Sequence, residues 1–195
     1  MCIRDRYEVP NLLSKEQCDK LIHYFKQNQH QCRTIEYPAL FDKKTITPDG
    51  VGSLKCQKIL RAFEFKATQA VSKSHDCESY VFMEHWDIVH WNPGMEMTAH
   101  RDNQYDPKID LSARHYSAVC YLNDDYTGGT TFFSDGDATN DKTLETTECI
   151  PETGKMVSFK SDVWHGVNEV ISGDRYTIAM WFTCDETRIR DKRAF

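Results

Sequence analysis

His115-Tyr-Ser-Ala-Val-Cys-Tyr-Leu122, then Asn123-Asp-Asp-Tyr-Thr-Gly-Gly129, then Thr130-Thr-Phe-Phe133 is the stretch that decides the fold class. Two short runs rich in aromatic and β-branched residues flank a cluster of Asn, Asp and Gly. That is the composition of strand, turn, strand. The same alternation continues outward in both directions. Upstream lie Tyr80–Met83, Trp86–Trp91 and Met97–His100. Downstream lie Leu144–Ile150, Lys155–Phe159, Val163–Val170 and Tyr176–Thr183. Turn signals part them: Asn92-Pro-Gly94, Ser134-Asp-Gly-Asp137, Pro151-Glu-Thr-Gly154 and Ser172-Gly-Asp174. Many short strands so punctuated predict a sandwich or barrel.

Before Glu78 the period changes. Ser14-Lys-Glu-Gln17 is a capping box, and Cys18, Leu21, Ile22 and Phe25 follow at helical spacing. The spacing predicts an amphipathic helix over Lys15–Gln27. Ser53 can cap a second helix with the apolar stripe Cys56, Ile59, Leu60, Phe63, Ala67, Ala70 and Val71. Between the helices, a polar stretch with Pro38, Pro48 and Gly50 reads as loop with room for a short strand. The expected architecture is mainly β with flanking helices, a jelly roll packed on two N-terminal helices.

Composition sets limits on function. A chain of 195 residues is one domain by size. No run of eighteen apolar residues offers a membrane span. The net charge of -6 argues against a nucleic-acid-coating surface, which needs a basic stripe. None of the eight cysteines forms a C-x-x-C pair, so free thiols in a reducing compartment are expected. No secretory leader opens the chain, which favours a cytoplasmic location. Residues 1–6, Met-Cys-Ile-Arg-Asp-Arg6, have no apolar period and read as a non-native leader that replaces a missing natural start. Residues 7–195 are expected to form the single domain. Nothing in the sequence sets the oligomeric state.

His100-Arg-Asp102 places an imidazole and a carboxylate two residues apart. On a strand, such residues share a face and can reach one metal ion. His165, in another strand-like run, is available as a third ligand. Two histidines and one carboxylate leave coordination positions open, the arrangement of oxygen-activating iron(II) sites. The triplet alone is weak, because His85-Trp-Asp87 repeats it. Ten residues after His165 comes Arg175, just past the turn Ser172-Gly-Asp174. The turn predicts a hairpin whose second strand faces the metal pocket. A guanidinium fork suits a carboxylate, and Thr177, two positions on, adds a hydroxyl on the same side.

On these residues the chain resembles a known family. The carriers are Thr98-Ala-His-Arg-Asp102, Arg114-His-Tyr-Ser-Ala-Val-Cys-Tyr-Leu-Asn-Asp-Asp-Tyr-Thr-Gly-Gly129, Gly154-Lys-Met-Val-Ser-Phe159 and the run from His165 to Thr183. Together they are similar to the 2-oxoglutarate/iron(II) dioxygenases of the prolyl hydroxylase type, the C-terminal half most of all to the prolyl 3-hydroxylases. The resemblance implies a double-stranded β-helix, with His100, Asp102 and His165 as iron ligands and Arg175 as anchor of the distal carboxylate of 2-oxoglutarate. The family often places a tyrosine nine residues before the first histidine, and here Trp91 stands there. Tyr116 and Tyr121, on a neighbouring strand, are the candidates to supply the hydroxyl instead. The implied reaction consumes O₂ and 2-oxoglutarate, releases succinate and CO₂, and takes ascorbate as auxiliary reductant. The implied partner is a proline-containing protein or peptide. A free amino acid or small molecule, or a silent binding module of the same fold, are the alternatives. His85, His90 and His115 are expected to pack within the sheet, Trp164 and Trp181 to be core, and Ser134–Asp141 to be solvated, with its D-x-D spacing a minor candidate for calcium. Arg101 is expected to meet substrate or solvent, and Asn103–Arg114 to form a lid.

Overall fold

The computed structural model describes residues 6–37, 41–46, 51–104 and 110–188. Ser14 caps α1 (Lys15–Gln27): its hydroxyl accepts from the Gln17 N–H while the Gln17 side chain accepts from the Ser14 N–H. This reciprocal pair satisfies two N–H groups that a helix start leaves open. Ser53 caps α2 (Leu54–Ser74) through the Cys56 N–H. α1 buries Cys18, Leu21, Tyr24 and Phe25, and α2 buries Cys56, Leu60, Phe63, Ala67 and Val71.

Both apolar stripes join one core with a face of the larger sheet. That sheet has the order β1-β10-β6-β13-β4-β3-β2, all antiparallel. Its strands are β1 (Arg6–Val9), β2 (Arg33–Tyr37), β3 (Phe41–Ile46), β4 (Phe82–Trp91), β6 (Tyr116–Tyr121), β10 (Met156–Lys160) and β13 (Arg175–Thr183). Alternation along the strands divides the side chains. Trp86, Ile88, Ala118, Cys120, Tyr176, Ile178, Met180 and Phe182 point to the helices. The intervening residues face a smaller sheet, ordered β5-β11-β8-β9, of β5 (Met97–His100), β11 (Trp164–Val167), β8 (Thr131–Ser134) and β9 (Thr146–Cys149). Tyr121, Phe133, Val157 and Phe159 pack between the sheets, and so do Val89, Trp91, Val167 and Val170. A two-stranded ribbon, β7 (Thr127–Gly128) with β12 (Val170–Ser172), completes the jelly roll.

The sequence expectations hold for the helices and the β-rich half and fail in five details. The stretch between the helices, read as loop with room for a short strand, carries two paired strands, β2 and β3. Arg6, grouped with the leader, is the first residue of β1 and donates to the Thr147 hydroxyl (3.0 Å). The two expected strands over 80–91 are one strand with a bulge opposite Trp181 and Phe182. The expected strand Val163–Val170 is two, β11 and β12, in different sheets. The turn Ser172-Gly-Asp174 closes no hairpin: β12 pairs with β7, while β13 pairs with β4 and β6. It is a corner that carries the chain from one sheet to the other. All seven described cysteines are free. No helix of the described residues is long and apolar enough to cross a membrane. Pro38, Pro48, Gly50, residues 1–5 and most of the expected lid, residues 105–109, lie outside the described residues.

Candidate active site

His100 closes β5 and His165 stands directly across from it on β11, so the pairing register alone puts the two rings 4.3 Å apart. Each ring is oriented by its own strand. Nδ1 of His100 donates to the Thr98 carbonyl (2.9 Å) and Nδ1 of His165 donates to the Val163 carbonyl (3.0 Å). With those protons fixed, both Nε2 atoms present a lone pair to the cleft. Gly166 permits the crowding around β11. A Cβ there would lie 2.5 Å from the Met97 carbonyl oxygen and from the Phe132 ring.

Asp102 does not share a strand with His100, contrary to expectation. It lies in the turn beyond β5, where its N–H donates to the Ser161 carbonyl (2.9 Å). The turn swings the carboxylate between the histidines. Its oxygens sit 3.6 Å from Nε2 of His100 and 3.5 Å from Nε2 of His165. Ser117 lies near enough to this carboxylate to stabilise its charge, and its hydroxyl meets that of Ser161 (2.9 Å). Burial works against the charge on Asp102, but the two histidines and Ser117 outweigh it and hold the carboxyl well below the usual range. Burial, aided by His100, lowers the pKa of His165 to about 4 against the pull of Asp102. An anionic carboxylate and a neutral imidazole are the forms that bind metal. One ligand atom from each of the three residues lies within 4.8 Å of the others, the sole such group among the described residues. The donor set fits iron(II) and leaves positions free for a chelating co-substrate and O₂.

The opposite sheet supplies a second polar centre. Arg175 opens β13 and is 1% exposed. Its Nη2 donates to the Thr131 hydroxyl (3.3 Å), which also accepts from the Tyr121 hydroxyl (2.8 Å). The guanidinium lies over the rings of Trp91 (5.1 Å) and Tyr121 (5.6 Å). No carboxylate of the described residues pairs with it, and its Nε has no partner among them. A buried cation without an anion costs several kcal/mol, on the order of the penalty for an unpaired buried ion. A ligand carboxylate, gripped by the fork, removes that penalty. The triad on one sheet and Arg175 on the other are thus two incomplete polar centres. Thr177, 2% exposed, lies one step along the same face between them.

Of the sequence-named pocket residues, Trp91, Tyr121, Arg175 and Thr177 come together, and Tyr116 does not. Tyr116 and Tyr121 are five residues apart on one strand, so they face opposite sides. Tyr116 packs against His75 on the helix side (4.7 Å, rings tilted by 38°) and cannot reach Arg175. His90 and His115 are structural. His90 bonds Asp174 (2.9 Å) and stacks on Tyr176, and Nδ1 of His115 accepts from the Cys184 N–H (3.1 Å). Arg101 is exposed and lies over Trp164 (5.1 Å). Asp137 and Asp141 spend their oxygens on loop N–H and hydroxyl groups nearby.

Sequence reasoning missed Thr131, Ser117 and Tyr126. The Tyr126 hydroxyl is buried beside Arg175 without a hydrogen bond of ordinary geometry. Burial raises its pKa and the Arg175 charge partly opposes that. Gly129 (φ +62°) lets the two meet, since a Cβ there would lie 3.0 Å from Arg175 Cδ and 3.1 Å from Tyr126 Cε2. The signal lies in Tyr126-Thr-Gly-Gly129, whose glycines mark a turn and also admit the contact of Tyr126 with Arg175.

Comparison with known proteins agrees with this geometry. The family model described as the 2OG-Fe(II) oxygenase superfamily matches residues 86–183. Prolyl 3-hydroxylase 2 of Rattus norvegicus is 45% identical over 74 residues, 37% of this chain and 10% of that protein. Prolyl 3-hydroxylase 1 of Homo sapiens is 46% identical over the same length and shares. The chain thus spans about a tenth of the length of the curated relatives it matches. Among solved structures, a Pseudomonas putida prolyl-4-hydroxylase superposes with a TM-score of 0.67 at 17% identity, covering 92% of each chain. A Trichoplax adhaerens prolyl hydroxylase, in complex with a hypoxia inducible factor oxygen degradation domain peptide fragment, superposes with a TM-score of 0.72 at 13% identity. It covers 98% of this chain and 89% of that one.

Proposed function

The chain belongs to the 2OG-Fe(II) oxygenase superfamily, and from that membership we propose that it hydroxylates a prolyl side chain of a protein or peptide. His100, Asp102 and His165 hold iron(II), and Arg175 holds the distal carboxylate of 2-oxoglutarate. The observation that carries this reading is the pairing of two incomplete centres across one cleft. A three-donor cluster stands on one sheet, and on the other a buried guanidinium with no anion among the described residues. A 2-oxo dicarboxylate completes both. The prolyl target is supported by the similarity to prolyl 3-hydroxylases over 74 residues.

Iron(II), when bound, supplies the oxygen chemistry that couples decarboxylation of 2-oxoglutarate to insertion of oxygen into a C–H bond. The chain's residues set the geometry. The Thr98 and Val163 carbonyls hold the imidazoles in the ligating tautomer. The Ser161 carbonyl holds Asp102 in its turn, and Ser117 nearby stabilises its charge. Thr131 and Tyr121 orient the guanidinium, and Trp91 lies against it, so co-substrate binds in one register. Phe133 and Phe159 pack against His165 and keep water from that side. Ascorbate is the reductant that restores activity after uncoupled turnover. The test is succinate formation with iron(II), ascorbate and 2-oxoglutarate. Proline-rich peptides are expected to stimulate it. Absence of succinate under every condition overturns the proposal, and succinate that no prolyl peptide stimulates overturns the target.

A further inference from the structure

The reaction cleft contains a buried carboxylate that the proposed chemistry does not use. β4 turns Trp86 and Ile88 toward the helices and Val89 and Trp91 toward the smaller sheet. His85 and Asp87 share the second face. Asp87 is 4% exposed, and His85 Nε2 (3.0 Å) is its sole partner among the described residues. Arg114, over the ring of Trp181 (4.5 Å), bonds Glu84 instead.

The position is beside the metal triad. Ser117, which lies beside Asp102, is in register with Trp181, and Trp181 with His85. Adjacent strands are about 4.8 Å apart, so His85 stands about 10 Å across the cleft floor from Ser117. Asp87 lies one step deeper, opposite Ala179. Val119, Ala179 and Trp181 are partly exposed although they sit on central strands. They form an open floor with the triad on one side and Asp87 on the other.

A carboxylate has about four lone-pair sites, and one half-exposed histidine fills one of them. The second oxygen of Asp87 has no protein partner among the described residues and is not sealed from solvent, so it is open to a further donor, and the neighbours of Asp87 on the face are Val89 and Trp91. A cationic donor from outside resolves the imbalance. We propose that Asp87, oriented by His85, is a subsite for a protonated amine carried by the substrate. The proposal rests on the oxygenase reading and adds to it the charge of the target. The amine belongs either to a chain terminus or free amino acid at the proline itself, or to a basic side chain next to it.

Calorimetric titration with two ligand pairs tests this, using protein loaded with 2-oxoglutarate and a redox-silent divalent metal. The first pair is Pro-Gly and N-acetyl-Pro-Gly. The second is a blocked peptide with Lys beside an internal Pro, and the same peptide with acetyl-lysine. In one pair the wild type is expected to bind the amine-bearing member about tenfold tighter, the worth of one charge-assisted hydrogen bond. The responding pair identifies the source of the amine. Asp87→Asn should bring that pair to within about twofold while 2-oxoglutarate affinity stays unchanged. Equal binding within both pairs by the wild type, or discrimination retained in Asp87→Asn, overturns the proposal. Should Asp87→Asn not fold, Asp87→Ser is read the same way, and unchanged discrimination overturns it. A wild type that fails to bind 2-oxoglutarate overturns the co-substrate reading together with this one. A wild type that binds it but ignores the amine overturns this one alone.

Discussion

The chain holds the same triplet twice, and the two copies behave differently. His85-Trp-Asp87 lies within β4, and His100-Arg-Asp102 straddles the end of β5. Within a strand, residues i and i+2 stand side by side on fixed stems. The Asp87 carboxylate therefore takes the Nε2 of its own histidine at 3.0 Å, and no third ligand of the described residues joins them. At the strand end, Asp102 is free to turn. It approaches His100 only to 3.6 Å, and its other oxygen faces His165 at 3.5 Å. Strand i,i+2 geometry makes a hydrogen-bonded pair, whereas strand plus turn, with a third residue across a ladder, makes a ligand cluster.

Substitution can break this contrast. The largest effect is expected from His165→Ala. It should lower metal affinity by more than the about 10- to 100-fold that loss of an orienting partner costs. His85→Ala should leave it within about twofold. Cobalt(II) titration followed by absorbance compares the two, and equal losses would erase the distinction between the triplets.

Arg175 sharpens the comparison from the other sheet. Arg175→Met should weaken 2-oxoglutarate binding by about 2 kcal/mol or more, roughly thirtyfold in Kd. The co-substrate-free protein should melt at the same or a higher temperature, because an unpaired buried cation is replaced by an apolar chain of similar length. A lower melting temperature would mean that the guanidinium is held for stability rather than for a ligand.

A smaller loss is expected for Tyr126→Phe, about fivefold in 2-oxoglutarate affinity, the worth of one net hydrogen bond. Pyruvate, which lacks the distal carboxylate, should bind both forms alike, so an equal loss for the two acids would show a general packing defect. Tyr116→Phe should change neither affinity. A loss there would contradict the placement of Tyr116 on the helix side.

Legibility followed the range of each interaction. α1 was readable to the residue because its capping box and apolar stripe are local. Strand positions in the β-rich half were readable to a residue or two, whereas β1, β7 and the β2–β3 pair were not. The hairpin after His165 was not, because a turn sequence does not choose its partner strand. That choice depends on which edges are free, and β12 found β7. Alternation announced that Tyr116 and Tyr121 oppose each other, but not which one faces the cleft.

The sequence by itself determined the fold class, the two helices, the candidate ligand trio and the arginine, since periodicity, caps and ordered motifs are written along the chain. Tertiary structure alone decided how His100 and Asp102 meet, that His165 and Arg175 come from opposing sheets, and that Tyr126 and Asp87 enter the cleft. Those facts depend on pairing register and on the facing of one sheet against another, which arise from contacts between residues far apart in sequence.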